Sequence, residues 1–366
     1  MKKFQLLAAA GVRGLTPYLP GKPIEELERE YGISGAVKLA SNENPLGPSR
    51  LGLAAAQNAL SGIARYPDGG GFSLRTALAR KLGVQPESIT LGNGSNDVLE
   101  LIARAFVTSE DEVIYSAHAF AVYPIVTQAI SAKAVVTPAV GFAHDLNAMA
   151  SAVTSSTRLI FIANPNNPTG TWLPIKILNQ FIANLPPHVI VVIDEAYYEY
   201  VTEPNYPNTI QWLSDYPNLV ITRTFSKAYG LAGLRVGYAI SHPEVADLLN
   251  RVRQPFNVNS IALAAATAAL EDEEHLTKTR TINQTGMVQI IAGLNTLKIG
   301  YIPSVANFLA IDLGQPAASI HELLLRLGVI TRPIASYGMP NHLRVTIGST
   351  EENTRFLGSL AQALKK

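Results

Sequence analysis

The sequence predicts an α/β fold, with a large domain on a mostly parallel central sheet flanked by helices and a smaller α+β domain beside it. Three observations carry this expectation. From about Ser88 to Tyr238, short apolar runs alternate with polar or glycine turns and helical stretches, the rhythm of repeated βα units. Several of those runs are apolar throughout rather than alternating, as in strands covered on both faces. After "RQPFNVNS" (253–260) the rhythm stops, and helical stretches with only occasional strand-like pieces take over.

In chain order, the first 40 or so residues lack the rhythm and are read as an arm that contributes part of the small domain (1–43). Residues 44–260 form the large domain. Its strands are "SITL" (88–91), "DEVIYS" (111–116), "KAVVTP" (133–138), "RLIFIA" (158–163), "VIVVID" (189–194), "NLVITR" (218–223) and "VGYAIS" (236–241). A helix is expected to start near Ser95 or Asn96, after the glycine turn of "LGNGSN". Residues 261–366 form the C-terminal small domain. An Ala-rich stretch (260–270) opens a helical region running to about Leu297, followed by strands at 308–313 and 342–347 and helices at 318–327 and 351–364.

Composition narrows the function. The chain has 366 residues, 47% hydrophobic and 16% charged, enough apolar material for one large core or two domains in contact. A formal net charge of +1 gives no general attraction to nucleic acid or acidic membranes. With no cysteine there is no disulfide, thiolate chemistry or cysteine-bound metal, and no metal site is expected. The start "MKKFQLLAAAGV" imitates a signal peptide, but Gln5 interrupts its apolar run and Gly11 and Arg13 close it early. No run approaches the roughly 20 apolar residues that span a bilayer. A soluble, cytoplasmic protein is expected.

Polar signals gather just past strand ends, where open α/β sheets bind ligands. In "LGNGSNDVLELIARAF" a strand, a glycine turn and a helix start place backbone N–H groups for a phosphate, although a capped turn alone would look the same. "NPNNPTG" (164–170) holds an asparagine amide in a rigid turn, or is a plain loop. In "VIVVIDEAYYEY", Asp194 ends an apolar run, where a carboxylate is costly unless donors or a cation meet it; helix capping is the ordinary alternative. "TFSKAYGLAGLRVGY" (224–238) has only two charges, Lys227 and Arg235, and an apolar flank that argues against a solvated lysine. Together the four places ask for a ligand with a phosphate, a ring nitrogen needing a carboxylate, an oxygen needing an amide and a phenol, and a carbon able to bond an amine. Pyridoxal 5′-phosphate meets all four demands.

In their order and spacing, "NPNNPTG", "DEAYYEY" and "TFSKAYGLAGLRVGY" resemble the fold type I aminotransferases that use pyridoxal phosphate. Within that group, "KLASNENPLGPS", "RYPDGGGFSLRTALA", "LGNGSNDVLEL" and "HLRVTIGSTEEN" resemble the histidinol-phosphate aminotransferases, over nearly the whole chain. The resemblance implies that Lys227 is the Schiff-base lysine and proton carrier, that Asp194 pairs with the pyridine nitrogen, and that Asn167 and Tyr197 hydrogen-bond the ring oxygen. Ser95, Asn96, Thr224, Ser226 and Arg235 would hold the phosphate, and Phe120 would stack on the ring. Before Phe120 the group often has a Pro-Thr pair where this chain has His118-Ala119. Tyr66 would reach the phosphate of a partner subunit in a homodimer with shared sites. Asn42, Asn167, Arg344, Arg332 and Tyr18 would bind substrate, the arginines through their planar forks.

The reaction so implied converts histidinol phosphate and 2-oxoglutarate into imidazole-acetol phosphate and glutamate, a step of histidine biosynthesis. Two alternatives keep most of these motifs: an aromatic-amino-acid aminotransferase acting on phenylalanine or tyrosine, and a threonine-phosphate decarboxylase. A transcription regulator built on the same fold would need a DNA-binding segment, and no basic or helix-turn-helix stretch precedes Val12.

Overall fold

The computed structural model describes residues 3–365; Met1 and Lys2, which open the signal-like start, lie outside them. The seven expected strands all form and join one sheet. They are β1 (Ile89–Gly92), β2 (Glu112–Ser116), β3 (Lys133–Thr137), β4 (Thr157–Ala163), β5 (Ile190–Asp194), β6 (Leu219–Thr224) and β7 (Gly237–Ser241). Their order across the sheet is β1-β7-β6-β5-β4-β2-β3, and only β7 runs against its neighbours. The carboxyl ends of the other six therefore share one edge.

Continuous apolar strings are explained by two cores, one on each face. Along β4, Leu159 and Phe161 pack into one core, and Ile160 and Ile162 into the other. Strands β5 and β6 alternate in the same way, with Val192 and Val220 on the first face and Ile193 and Ile221 on the second. The central positions of these strands are therefore apolar on both faces. Strand β3 departs from this: it is the sheet edge, and Lys133, Ala134 and Val136 are exposed.

A second sheet, wholly antiparallel, has the order β8-β9-β11-β10, from Gly300–Ile302, Phe308–Asp312, His342–Thr346 and Arg332–Pro333 respectively. It packs against the helices Glu273–Leu297, Ala317–Arg326 and Thr350–Ala363 through Leu309, Ile311, Leu343, Ile290, Leu324 and Phe356. The N-terminal arm joins this unit where Val37–Lys38 pairs in parallel with Val329–Ile330. The two- and three-residue strands were not anticipated, being too short to show a period.

The Ala-rich stretch forms a helix, Ser260–Ala269, that ends before the long Glu273–Leu297 helix begins. Its Ala262, Ala265 and Ala266 are fully buried in a core of the large sheet. They permit close approach of the Arg50–Ala59 helix, where a Cβ on Gly52 would meet the Ala265 carbonyl at 3.1 Å. No helix among the described residues is long and apolar enough to cross a membrane.

Candidate active site

A cavity of about 670 Å³ opens at the shared carboxyl edge of the large sheet, lined also by residues of the four-stranded sheet and of the N-terminal arm. Every site residue named from the sequence lines it except Tyr66. Tyr66 lies instead on the surface, 84% exposed and stacked on Phe256 at 4.8 Å.

Asp194 ends β5 on the face of the sheet that carries Val192 and Tyr123, and it is only 4% exposed. Tyr123 donates its hydroxyl to one carboxylate oxygen at 2.9 Å and Thr222 donates to the other at 3.0 Å. Both donors are neutral, and burial pushes the carboxyl up to about 6 despite them. A cation placed against it would reverse that shift. Neither donor was foreseen. Thr222 had a signal, because the parallel register sets it opposite Asp194 as a polar residue within an apolar strand.

Lys227 follows β6 and donates to the Ser41 carbonyl at 2.8 Å, 5.9 Å from the Tyr197 ring centre. Burial first, then the nearby Arg344 and Arg235 charges, bring its amine down to about 7. An amine so placed is substantially unprotonated near neutral pH, as a nucleophile at carbon must be.

At the far end of the cavity the Ser95–Phe106 helix starts after Gly94, whose φ is 86° and which supplies no side-chain cap. Its first residues, Ser95 and Asn96, line the cavity beside Thr224 and Ser226. Arg235 donates to Ser226 Oγ at 3.2 Å and to the Ala232 carbonyl at 3.0 Å. Two glycines make the arrangement possible: a Cβ on Gly94 would meet Arg235 at 2.4 Å, and one on Gly237 would meet Ser95 N at 2.4 Å. Helix dipole, N–H groups, hydroxyls and a guanidinium converge there, which is a cradle for a phosphate.

Between these ends, Asn42 donates to the Tyr197 hydroxyl at 2.8 Å, while burial raises that phenol to about 12. Phe120 lies at the cavity wall, edge-on to Tyr123. Arg344, 6% exposed, donates to Asn167 Oδ1 at 2.6 Å and to the Ala40 carbonyl, yet its buried Nε has no hydrogen-bond partner among the described residues. Directly across the strand pair stands Arg332, in register with Arg344. Arg332 donates to the Leu19 carbonyl at 2.5 Å and lies over the Tyr18 ring at 5.3 Å. Like charges opposed across two strands repel unless an anion lies between or beside them.

Comparison with known proteins matches residues 34–360 to the class I and II aminotransferases. Histidinol-phosphate aminotransferase 1 of Nitrosococcus oceani is 60% identical over 363 residues, covering 99% of this chain and 98% of that protein. The chain belongs to the class I and II aminotransferase family. A second relative in the family, histidinol-phosphate aminotransferase 2 of Pseudomonas fluorescens, is 57% identical over 99% of each chain. Among solved structures, histidinol-phosphate aminotransferase from Sinorhizobium meliloti, in complex with pyridoxal-5′-phosphate, superposes with a TM-score of 0.89 at 29% identity over 97% of each chain. For an aminotransferase, the buried acid, the neutral-leaning lysine and the phosphate cradle fit one cofactor: a phosphorylated pyridine aldehyde.

Proposed function

We propose that the chain is a pyridoxal-phosphate-dependent aminotransferase that converts histidinol phosphate and 2-oxoglutarate into imidazole-acetol phosphate and glutamate. The observation that carries the reading is the pairing, in one cavity, of the Lys227 amine and Asp194 carboxylate with two arginines in cross-strand register. When bound, pyridoxal phosphate supplies an aldehyde carbon that bonds an amine and a protonated ring that draws electrons from that carbon's substituents.

Each residue then has a task. Lys227 would hold the cofactor through its aldehyde carbon, and its amine is placed to carry a proton from the substrate's α carbon. Asp194, kept in place by Tyr123 and Thr222, keeps the ring nitrogen protonated. Asn167 and Tyr197 hold the ring oxygen, with Asn42 orienting the Tyr197 hydroxyl, and Phe120 covers one face. The Ser95 helix start, Asn96, Thr224, Ser226 and Arg235 take the phosphate. Arg344 and Arg332, with Tyr18, bind the substrate's anionic groups. Two guanidiniums side by side suit both an amino-alcohol phosphate and a dicarboxylate, the two substrates that must share the site.

A homodimer is part of the proposal. Tyr66, Ile63, Leu60 and Leu51 are exposed around the Arg50–Ala59 helix and the loop after it, an apolar strip that a second copy would cover. Tyr66 would then reach the partner's phosphate cradle. The cytoplasm, where small phosphorylated metabolites are retained, is the location that fits this activity.

The test is a side-by-side measurement of kcat/KM for histidinol phosphate, phenylalanine and tyrosine with 2-oxoglutarate. A preference for histidinol phosphate of at least about a hundredfold, ~2.7 kcal/mol of transition-state binding, is expected. Equal or better turnover of the aromatic amino acids would overturn the substrate assignment in favour of an aromatic aminotransferase.

A further inference from the structure

The Phe120 loop and the arginine-bearing hairpin belong to different domains, yet one pair of residues ties them together. His118, in the loop after β2, points its Nδ1 at the Tyr337 carbonyl, 2.6 Å away. A carbonyl oxygen only accepts, so this contact requires the Nδ1–H tautomer or the imidazolium. Tyr337 sits in the short turn Ala335–Tyr337 that connects β10, with Arg332, to β11, with Arg344. His118 stands two residues before Phe120, so this one contact ties the loop that carries the ring to the turn between the two arginine strands.

Other features tighten the same seam. His118 holds a left-handed backbone, φ 58°, which is uncommon for a residue with a side chain. Its carbonyl accepts from Asn166 Nδ2 at 3.1 Å, in the turn that carries Asn167. A Cβ on Gly338 would already lie 3.5 Å from the imidazole, so the turn closes directly on the ring. The Phe142 ring lies tilted to His118 at 5.7 Å and edge-on to His342 at 5.5 Å, beside the seam.

We propose that His118 and Tyr337 are positioning residues that clasp the two domains, setting the Phe120 ring in the cofactor cavity and fixing the arginine hairpin over it. Neither touches the reacting atoms. Their effect is to make the placement of the ring face and of the anion-binding arginines one event, so that a substrate anion drawn onto Arg332 and Arg344 also seats Phe120. The inference rests on the aminotransferase reading for its substrate, but the geometry of the clasp does not.

Two variants separate the hydrogen bond from backbone strain. His118→Gly removes the donor while tolerating the left-handed backbone. His118→Asn keeps a donor at nearly the position of Nδ1 and also accepts that backbone. In the holoenzyme, His118→Gly is expected to raise KM for histidinol phosphate and for 2-oxoglutarate about fivefold, the worth of one such hydrogen bond, with kcat changed less. The visible circular dichroism band of the bound cofactor should shrink, and titration of the cofactor-free protein should show weaker pyridoxal phosphate binding. His118→Asn should restore all three, and Tyr337→Phe, which keeps the carbonyl contact, should leave them near wild type. Wild-type KM, dichroism and cofactor affinity in His118→Gly would overturn the clasp, as would an Asn variant no better than Gly. Wild-type turnover of histidinol phosphate, measured alongside, tests the substrate reading separately, since dichroism and cofactor affinity report on the clasp without it.

Discussion

Lys227 and Asp194 are two ionisable groups that burial moves in opposite directions, one down to about 7 and the other up to about 6. Without its cofactor the protein stores the cost of both. For Lys227 the folded state lets go of its proton near pH 7 and the unfolded state near 10.5, so between those values the unfolded chain binds more protons. Stability of the cofactor-free protein therefore gains from this group as pH rises through that window, and its burial costs most below it. Lys227→Met should be more stable than wild type in thermal melts of cofactor-free protein at about pH 6, with the gap closing towards about pH 10. A gap independent of pH would show that the amine is not desolvated. The same variant should retain no cofactor after borohydride reduction and denaturation. For Asp194→Asn, which keeps the size of the side chain and one of its two acceptor oxygens but not the charge, kcat should fall by at least about a thousandfold, ~4 kcal/mol, while cofactor remains bound. Near-normal kcat would remove Asp194 from the ring nitrogen.

Strand ends and helix starts position these groups, and the closest packing falls at glycines. Gly237 opens β7 against the start of the Ser95 helix, where a Cβ would meet Ser95 N at 2.4 Å and the Gly94 carbonyl carbon at 2.7 Å. Both are backbone atoms, so the helix would have to move. Gly237→Ala is expected to cost about 1–3 kcal/mol of stability through overpacking and to weaken pyridoxal phosphate binding more than it lowers kcat at saturating cofactor. Unchanged cofactor affinity, measured by fluorescence titration, would show that the helix start is not the phosphate cradle. The long helices are held by more ordinary means. Ser349 and Glu352 form a capping box at the start of the Thr350–Ala363 helix, as a serine three residues ahead of a glutamate should.

Across the whole molecule the cavity belongs to no single segment: its wall draws on the arm at Tyr18 and Asn42, the large sheet, and the small sheet at Arg332 and Arg344. Tyr66 is the exception among the expected residues, and its exposure on an apolar strip is what a shared site between two copies would require. Light scattering of the purified holoenzyme should give the mass of two chains. Replacing Ile63 and Leu60 with aspartate should give single chains with weakened cofactor binding. A wild-type protein that is monomeric and fully active would refute the dimer and the role of Tyr66 together.

Much of this was legible in the residues because it is local. Short apolar strings announced the seven strands of the large sheet, several of them continuous because both faces are buried. Glycine and proline turns after those strings marked the loops, and Asp194 and Lys227 stood out beside them because burying charge is costly. What the chain order could not convey was register and contact between distant segments. Thr222 meets Asp194 only because β5 and β6 pair in parallel, and Tyr123 reaches it across 71 residues of sequence. Arg332 and Arg344 become a pair only through a hairpin register. His118 finds Tyr337 across 219 residues of sequence. The sequence by itself determined the fold and the chemistry and brought forward most of the residues that line the cavity, because hydrophobic period and residue type are properties of short stretches. Tertiary structure alone decided which of those residues are desolvated and which are held by neutral donors, because burial and hydrogen-bond partners are set by segments far apart along the chain.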